Sequence, residues 1–324
     1  MPPTFSPSSA PSPSSTPSSA PSPGTDLVLV YAATTVAEVE SPPAAVPAHA
    51  EPVDGVGFRG WRWEVPAGGA GGGPEASLLS EAALSEGGLS DALLSDAVLP
   101  AGHAVAVVPA AFRAAEPKML VMDVDSTLIR QEVIELLAAH AGREAEVAAV
   151  TEAAMRGELD FTQSLHHRVR ALAGLEEAVI DDVVAAVEPQ PGARELIAAF
   201  HAAGWPVCAV SGGFTQVLAP LAADLGLDHY RANDLEVVQG RLTGRVLGTV
   251  VDRAVKAEML HRWSTAAGVG PEGVVAVGDG ANDIDMLDAA GLAVAFCAKP
   301  ALREHADVEL DVPSLDVIRV LAGL

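Results

Sequence analysis

Cysteine is nearly absent: Cys208 and Cys297 are the two in 324 residues, each inside an apolar segment. This excludes a disulfide framework and a cysteine-based zinc site, and both thiols are expected to be reduced core residues. Basic side chains are scarce as well, with 19 Lys and Arg against 43 Asp and Glu and a formal net charge of -24. Such a surface repels nucleic acid and anionic membrane, so neither is expected as a partner. No basic residue precedes Arg59, which denies the N-terminus the basic region of a secretory leader, and no apolar run is long enough to span a bilayer. The expectation is a soluble, cytoplasmic protein. Lysine is the rarest of the basic residues, three against sixteen arginines, so each lysine retained is a candidate for a specific task.

What is present suffices for a core. With 49% hydrophobic residues, the chain can bury a full interior and hold more than one domain. Residues Met1 to Thr25 contain eight prolines and nine serines and almost nothing apolar, so they read as a disordered tail. Between Asp26 and Pro117 the signals are mixed: Leu27 to Ala32, Val56 to Val65 and Ala104 to Val108 have strand character. A Gly-rich break occupies Gly68 to Gly73. After it, LLSEA, ALSEG, GLSDA and LLSDA place leucines at 79, 84, 89 and 94, a spacing of five that fits neither helix nor strand. Local duplication within a helix or loop explains it more simply than a repeat array does.

From Lys118 to Leu324 the pattern becomes strands alternating with helices. Apolar runs at Met119 to Met122, Pro206 to Val210, Val274 to Val277 and Leu292 to Phe296 are each followed by polar or Gly-rich residues and then helical periodicity. The implied class is α/β, a doubly wound parallel sheet with helices on both faces. Ligands in such folds bind at the carboxyl ends of the strands. From about residue 134 to 188 no comparable strand occurs, so a helical cap is expected there, inserted between the first and second strands.

Chemistry gathers at those strand ends. Asp123 and Asp125 follow the first run, and in extended backbone positions i and i+2 point to one side, so both carboxyls can face one site. One could be a nucleophile and the other a proton donor, although an Asp-x-Asp alone serves equally as a turn or helix cap. Ser211, Gly212 and Gly213 end the second run and offer a hydroxyl with unhindered N–H groups, able to cradle phosphate oxygens or simply to turn. Lys256 precedes the helical residues Met259 and Leu260 and would supply a compact positive charge unless it is a solvated surface residue. The third run ends in Gly278, Asp279, Gly280, Ala281, Asn282 and Asp283, oxygen donors suited to magnesium. Four such signals in order, each at a strand end, outweigh the plain reading of any one.

In the intervening region, Asp160 and Gln163 have capping-box spacing. A helix starting there puts Arg168 within about 20° of Phe161 on the helical wheel. A guanidinium beside an apolar stripe snorkels, pairs, or grips a ligand carboxylate. Glu132, at the opening of the helix through Val133 and Leu137, could merely favour the helix dipole. His166 and His167 read as ordinary surface residues.

These segments together resemble the phosphoserine phosphatase family of the haloacid dehalogenase superfamily. The resemblance rests on DVDSTLI with QEVIELLAAHAG, TEAAMRGELDFTQSL with RVRALAGL, SGGFT, the stretch from Ala232 to Gly244, and VGDGAND with AFCAKP. It implies a magnesium-dependent phosphomonoesterase working through a phospho-aspartyl intermediate on O-phospho-L-serine, at the last step of serine biosynthesis. Asp123 would be the nucleophile and a metal ligand, and Asp125 the general acid and base, with its backbone carbonyl on the metal. Asp279 would complete the protein's ligands, with Asn282 and Asp283 in support. Ser211, Gly212 and Lys256 would hold the phosphoryl group. Glu132 would meet the substrate ammonium and Arg168 its carboxylate, with Met155 and Phe161 closing over them.

Two alternatives remain: another phosphatase or phosphotransferase of the superfamily acting on a different small phosphomonoester, and an aspartate-phosphorylated signalling receiver. The receiver reading conflicts with the 87 residues between Asp123 and Ser211, too long for an ordinary connection, and with the second acid, Asp125. Longer members of that family carry a regulatory domain of the ACT type ahead of the catalytic one, and the strands of residues 26 to 117 are compatible with such a domain and with a homodimer formed through it, although the Gly-rich break and the leucine quasi-repeat depart from the ACT pattern.

Overall fold

The computed structural model describes residues 24–35, 42–43, 46–66, 102–155 and 160–324. Residues 1–23 of the tail expected over residues 1–25, the Gly-rich break and the leucine quasi-repeat lie outside them.

The first sheet has four antiparallel strands, β1 (Thr25–Ala33), β2 (Glu51–Gly55), β3 (Phe58–Pro66) and β4 (His103–Val108), in the order β2-β3-β1-β4. Two expectations are corrected here. Thr25 begins β1 instead of ending a tail, and Val56 to Val65 is not one strand but the turn and second arm of a hairpin. Gly57, at φ +77°, permits the reversal between β2 and β3. Period-two alternation gives β1 two buried faces. Val28, Val30 and Ala32 pack with Trp61, Trp63 and Val105, while Leu27, Leu29 and Tyr31 join the main core. Polar contacts anchor the sheet there too: Tyr31 Oη donates to the Glu309 carbonyl at 3.1 Å, and the Val56 N–H to Asp316 Oδ2 at 3.0 Å.

The second sheet holds β5 (Met119–Met122), β6 (Val207–Phe214), β7 (His229–Val238), β8 (Arg241–Leu247), β9 (Val274–Gly278), β10 (Leu292–Phe296) and β11 (Val308–Leu310). Their order is β11-β10-β9-β5-β6-β7-β8, parallel throughout except for the β7–β8 hairpin. At its turn Gln239 and Gly240 both have positive φ, 52° and 72°, the twist that suits a two-residue hairpin loop. Strands β5, β9 and β10 are buried along their whole length, as parallel strands covered on both faces must be. Alternate residues feed two cores. Leu120, Met122, Val275 and Val277 pack with helices 193–202 and 215–225, and Met119, Val121, Val274 and Ala276 pack with helices 253–267 and 284–288. Cys208 is buried in the second core. Cys297, expected in a core, is instead exposed at a turn with φ +44° after β10.

Among the described residues, the helices Val133–Ala141, Glu144–Met155, Phe161–Arg170 and Val179–Ala186 follow β5 in the chain and precede the helix Ala193–Ala202, which leads into β6. Where the chain leaves and returns, Ile129 bridges Pro189 and the Arg130 N–H donates to the Glu188 carbonyl at 3.0 Å. Strands β5, β6 and β9 are neighbours, so their carboxyl ends open onto one place beneath these helices.

Candidate active site

Asp123 ends β5, its N–H bonded to the Val277 carbonyl of β9 at 2.9 Å, and its side chain is only 4% exposed. Oδ1 accepts from the Val124 N–H and from Lys256 Nζ, both at 2.7 Å. Asp125 follows in extended backbone, as the Asp-x-Asp spacing implied. Its Oδ1 accepts from the Val133 N–H at 2.8 Å and its Oδ2 from the Ser211 hydroxyl at 3.1 Å. Burial, then the negative charges of Glu132 and Asp123, push its carboxyl up to about 7 against the pull of those hydrogen bonds. Asp125 can therefore hold a proton near neutral pH, as a general acid must. Ser126 then turns the chain back at φ +57°, unusual for a residue with a Cβ. Its hydroxyl donates to Glu132 Oε1 at 2.8 Å.

Behind these acids lies a charge cluster. Lys256 is fully buried, with Nζ 2.7 Å from Asp123 and 2.6 Å from Asp283. Burial alone would lower its pKa, but the two carboxylates outweigh that and raise it, so the ammonium stays charged. Asp283 has both oxygens engaged: Oδ1 by Lys256, Oδ2 by the N–H groups of Asp279 and Gly280, each at 3.2 Å. Burial and the Asp123 charge push Asp283 up to about 7, and the ammonium opposes them. Burial and Asp123 raise Asp279 too, against Lys299, whose Nζ lies 3.0 Å from Oδ2.

Asp123, Asp279 and Asp283 each place an oxygen within 4.8 Å of the others'. Since Asp283 is consumed by hydrogen bonds, the open donors are Asp123 Oδ2 and Asp279 Oδ1, which have no hydrogen-bond partner among the described residues. Hard carboxylate oxygens at a cavity wall fit a divalent cation of the magnesium kind.

The cavity itself measures about 390 Å³. Of the residues singled out from sequence, Asp123, Asp125, Glu132, Phe161, Arg168, Gly212, Asp279 and Asn282 line it. Ser211, Lys256 and Asp283 stand directly behind, bonded to lining residues. The side chain of Met155 lies outside the described residues. Asp160 closes the expected capping box with Gln163, which fixes the helix that aims Arg168 inward. The Arg168 pKa is lowered by burial, against the charges of Glu132, Asp125 and Glu135. Its Nε makes a long 3.4 Å contact with the Ser164 carbonyl, and no carboxylate lies within 4.0 Å of it among the described residues. Gly212 and Gly213 are required by close approach: a Cβ would come within 2.8 Å of Phe161 at the first and 2.6 Å of Asp125 at the second. Asn233 braces this corner, donating to the Gly212 carbonyl at 2.9 Å and accepting from the Val251 N–H at 2.8 Å.

Sequence reasoning missed Ser126, Glu135, Thr151 and Lys299 on the cavity wall. Lys299 alone carried a signal, as one of three lysines; the others are unremarkable as residue types and enter through the turn at Ser126 and the packing of the inserted helices.

A carboxyl pair after β5, a serine and glycines on β6, a buried lysine and further carboxylates after β9 define the haloacid dehalogenase-like hydrolases, whose family model matches residues 120–288, and the chain belongs to that family. Among its relatives, a phosphoserine phosphatase of Streptomyces coelicolor is 58% identical over 223 residues, 69% of this chain and 54% of that protein. The chain thus spans about half the length of that relative. One from Streptococcus thermophilus is 46% identical over 204 residues, 63% of this chain and 95% of its own. A solved phospho-aspartyl intermediate analogue of phosphoserine phosphatase superposes with a TM-score of 0.59 at 42% identity, covering 62% of this chain and 96% of that one.

Proposed function

We propose that the chain is a phosphoserine phosphatase, hydrolysing O-phospho-L-serine to L-serine and phosphate with magnesium as cofactor. The observation that carries this reading is the carboxyl pair itself: Asp123 with its Oδ1 2.7 Å from the Lys256 ammonium, and Asp125 two residues on, its carboxyl pushed up to about 7 by burial. Asp123 attacks phosphorus and forms an acyl phosphate as Asp125 gives its proton to the departing serine oxygen. Asp125, now a carboxylate, takes a proton from water, which attacks the same phosphorus and frees Asp123. One acid serves both half-reactions, and the cycle returns every proton.

Lys256 offsets charge that develops during in-line transfer, and the Ser211 hydroxyl and Gly212 backbone hold phosphoryl oxygens. Asp123 and Asp279, with the backbone carbonyl of Asp125, would hold the magnesium ion, which supplies charge neutralisation at the phosphoryl oxygens. Asn282 and Asp283 brace that set. Phe161 closes the cavity against water. Glu132 takes the substrate ammonium and Arg168 its carboxylate, a role favoured by the absence, among the described residues, of any carboxylate within 4.0 Å of the guanidinium. The sheet of β1 to β4, seated on the main core through Leu29, Tyr31, Phe58 and Val108, fits the place of a regulatory domain, and a homodimer would be compatible with it. No helix among the described residues is long and apolar enough to cross a membrane, which suits a cytoplasmic enzyme.

The test is one of specificity. Arg168→Ala should lower kcat/KM for phosphoserine by about 10²-fold, from roughly 3 kcal/mol for a lost ionic hydrogen-bonded contact. It should hardly change turnover of phosphoethanolamine, which keeps the ammonium and lacks the carboxylate. Equal losses on both substrates would withdraw serine and leave a phosphatase of another small phosphomonoester.

A further inference from the structure

The chain has three lysines, and two have their charge engaged within the fold. Lys118 is buried, donating to the Ala115 carbonyl at 2.8 Å and the Glu116 carboxylate at 3.1 Å. Lys256 is shared between two carboxylates. Lys299 differs from both. Its side chain is 54% exposed, lines the cavity and, among the described residues, rests on Asp279 Oδ2 alone.

Its backbone has a separate job. The Lys299 N–H donates to the Asp279 carbonyl at 2.9 Å and so ties the turn after β10 to the end of β9. The ammonium is thus free to shift on its four-carbon stem without moving the loop. Charge around the cavity explains why that matters. Five carboxyl side chains line it, Asp123, Asp125, Glu132, Glu135 and Asp279, against two cations, Arg168 and Lys299. Arg168 comes from the inserted helices and feels chiefly Glu132, Asp125 and Glu135. Among the described residues, therefore, Lys299 is the solvent-exposed cation on the wall beside Asp279. A phosphomonoester dianion entering a chain of net charge -24 thus meets more carboxyls than cations on this wall.

We propose that Lys299 captures the phosphoryl group: its ammonium turns from Asp279 to meet the entering dianion and guides it onto Asp123. The proposal rests on the phosphatase reading and adds to it a residue that acts before the chemical step. Capture by one solvated charge raises association and is screened by salt, whereas a structural brace is indifferent to salt.

The experiment uses the full chain with saturating magnesium, comparing wild type, Lys299→Met and Lys299→Arg. Inorganic phosphate affinity is measured by calorimetry and phosphoserine turnover at steady state, each from about 20 mM to about 500 mM salt. At low salt Lys299→Met should weaken phosphate binding and lower kcat/KM by about fivefold to tenfold, with the loss falling on kcat/KM and not on kcat. At high salt the two should converge, and Lys299→Arg should recover most of the difference. Phosphate affinity unchanged in Lys299→Met would overturn the proposal, as would a fall in kcat that is the same at every salt concentration. If phosphoserine is not turned over but phosphate binding still weakens in a salt-dependent way, the role of Lys299 stands and the substrate reading falls.

Discussion

Replacing Lys256 with methionine keeps the length and apolar stem of the side chain and removes the ammonium that lies 2.7 Å from Asp123 and 2.6 Å from Asp283. Two buried carboxylates then face each other without their cation. Removing one partner of a buried ionic group costs about 3–5 kcal/mol. The fold can escape part of that by taking up a proton. Holding neutral a carboxyl of ordinary pKa 3.8 costs about 1.4 kcal/mol per pH unit, so roughly 6 kcal/mol at pH 8 and 3 at pH 6. The ceiling therefore drops on acidification. Folded Lys256→Met binds more protons than its unfolded chain over this range, and its stability must rise as pH falls. Urea unfolding of the metal-free protein, followed by far-ultraviolet circular dichroism, should show a deficit of about 3–5 kcal/mol at pH 8 that shrinks by a third or more at pH 6. A deficit below about 1 kcal/mol at pH 8, or one independent of pH, would refute the charge cluster as described.

Asp125→Asn should act in the opposite sense on stability. Asp125 rises from 3.8 to about 7 in the fold, so its contribution is unfavourable above pH 7 and vanishes below 4. The metal-free variant should then be more stable than wild type at pH 8 by on the order of 2–4 kcal/mol, a gain that fades toward pH 4 in thermal melts. Its turnover of phosphoserine should fall by roughly 10² to 10⁴, the range for a missing general acid and base. A variant less stable than wild type at pH 8 would contradict the buried acid. Excess EDTA should abolish turnover and added magnesium restore it, because the open oxygens of Asp123 and Asp279 face the cavity; full rate in verified metal-free protein would show that they hold no required ion.

The catalytic half of the fold was readable where burial is continuous. Strands β5, β9 and β10 are apolar from end to end, and the acids after β5 and β9 stand out by contrast. Strands β7 and β8 escaped because their exposed, polar residues break the pattern, and β11 because three residues carry no period. The β2–β3 hairpin was hidden by reading Val56 to Val65 as continuous when Gly57 reverses the chain. At the site, spacing placed both carboxyls of the Asp-x-Asp correctly, since extended backbone alone determines that. The bond from Ser126 to Glu132 needs a left-handed serine, which no residue-type rule announces. Lys299 reaches Asp279 across 20 residues of chain, a contact made by the pairing of β9 with β10 and by nothing local.

The claim on which everything else depends is that Asp123 carries the phosphoryl group. Rapid quenching of the magnesium-loaded protein with phosphoserine, followed by borohydride reduction and peptide mass spectrometry, reads it directly, because reduction converts an acyl phosphate at that side chain to homoserine. Homoserine at position 123 in wild type, with none and no turnover in Asp123→Asn, is the predicted result; turnover by Asp123→Asn above a trace, or reduction at a different carboxylate, would contradict it.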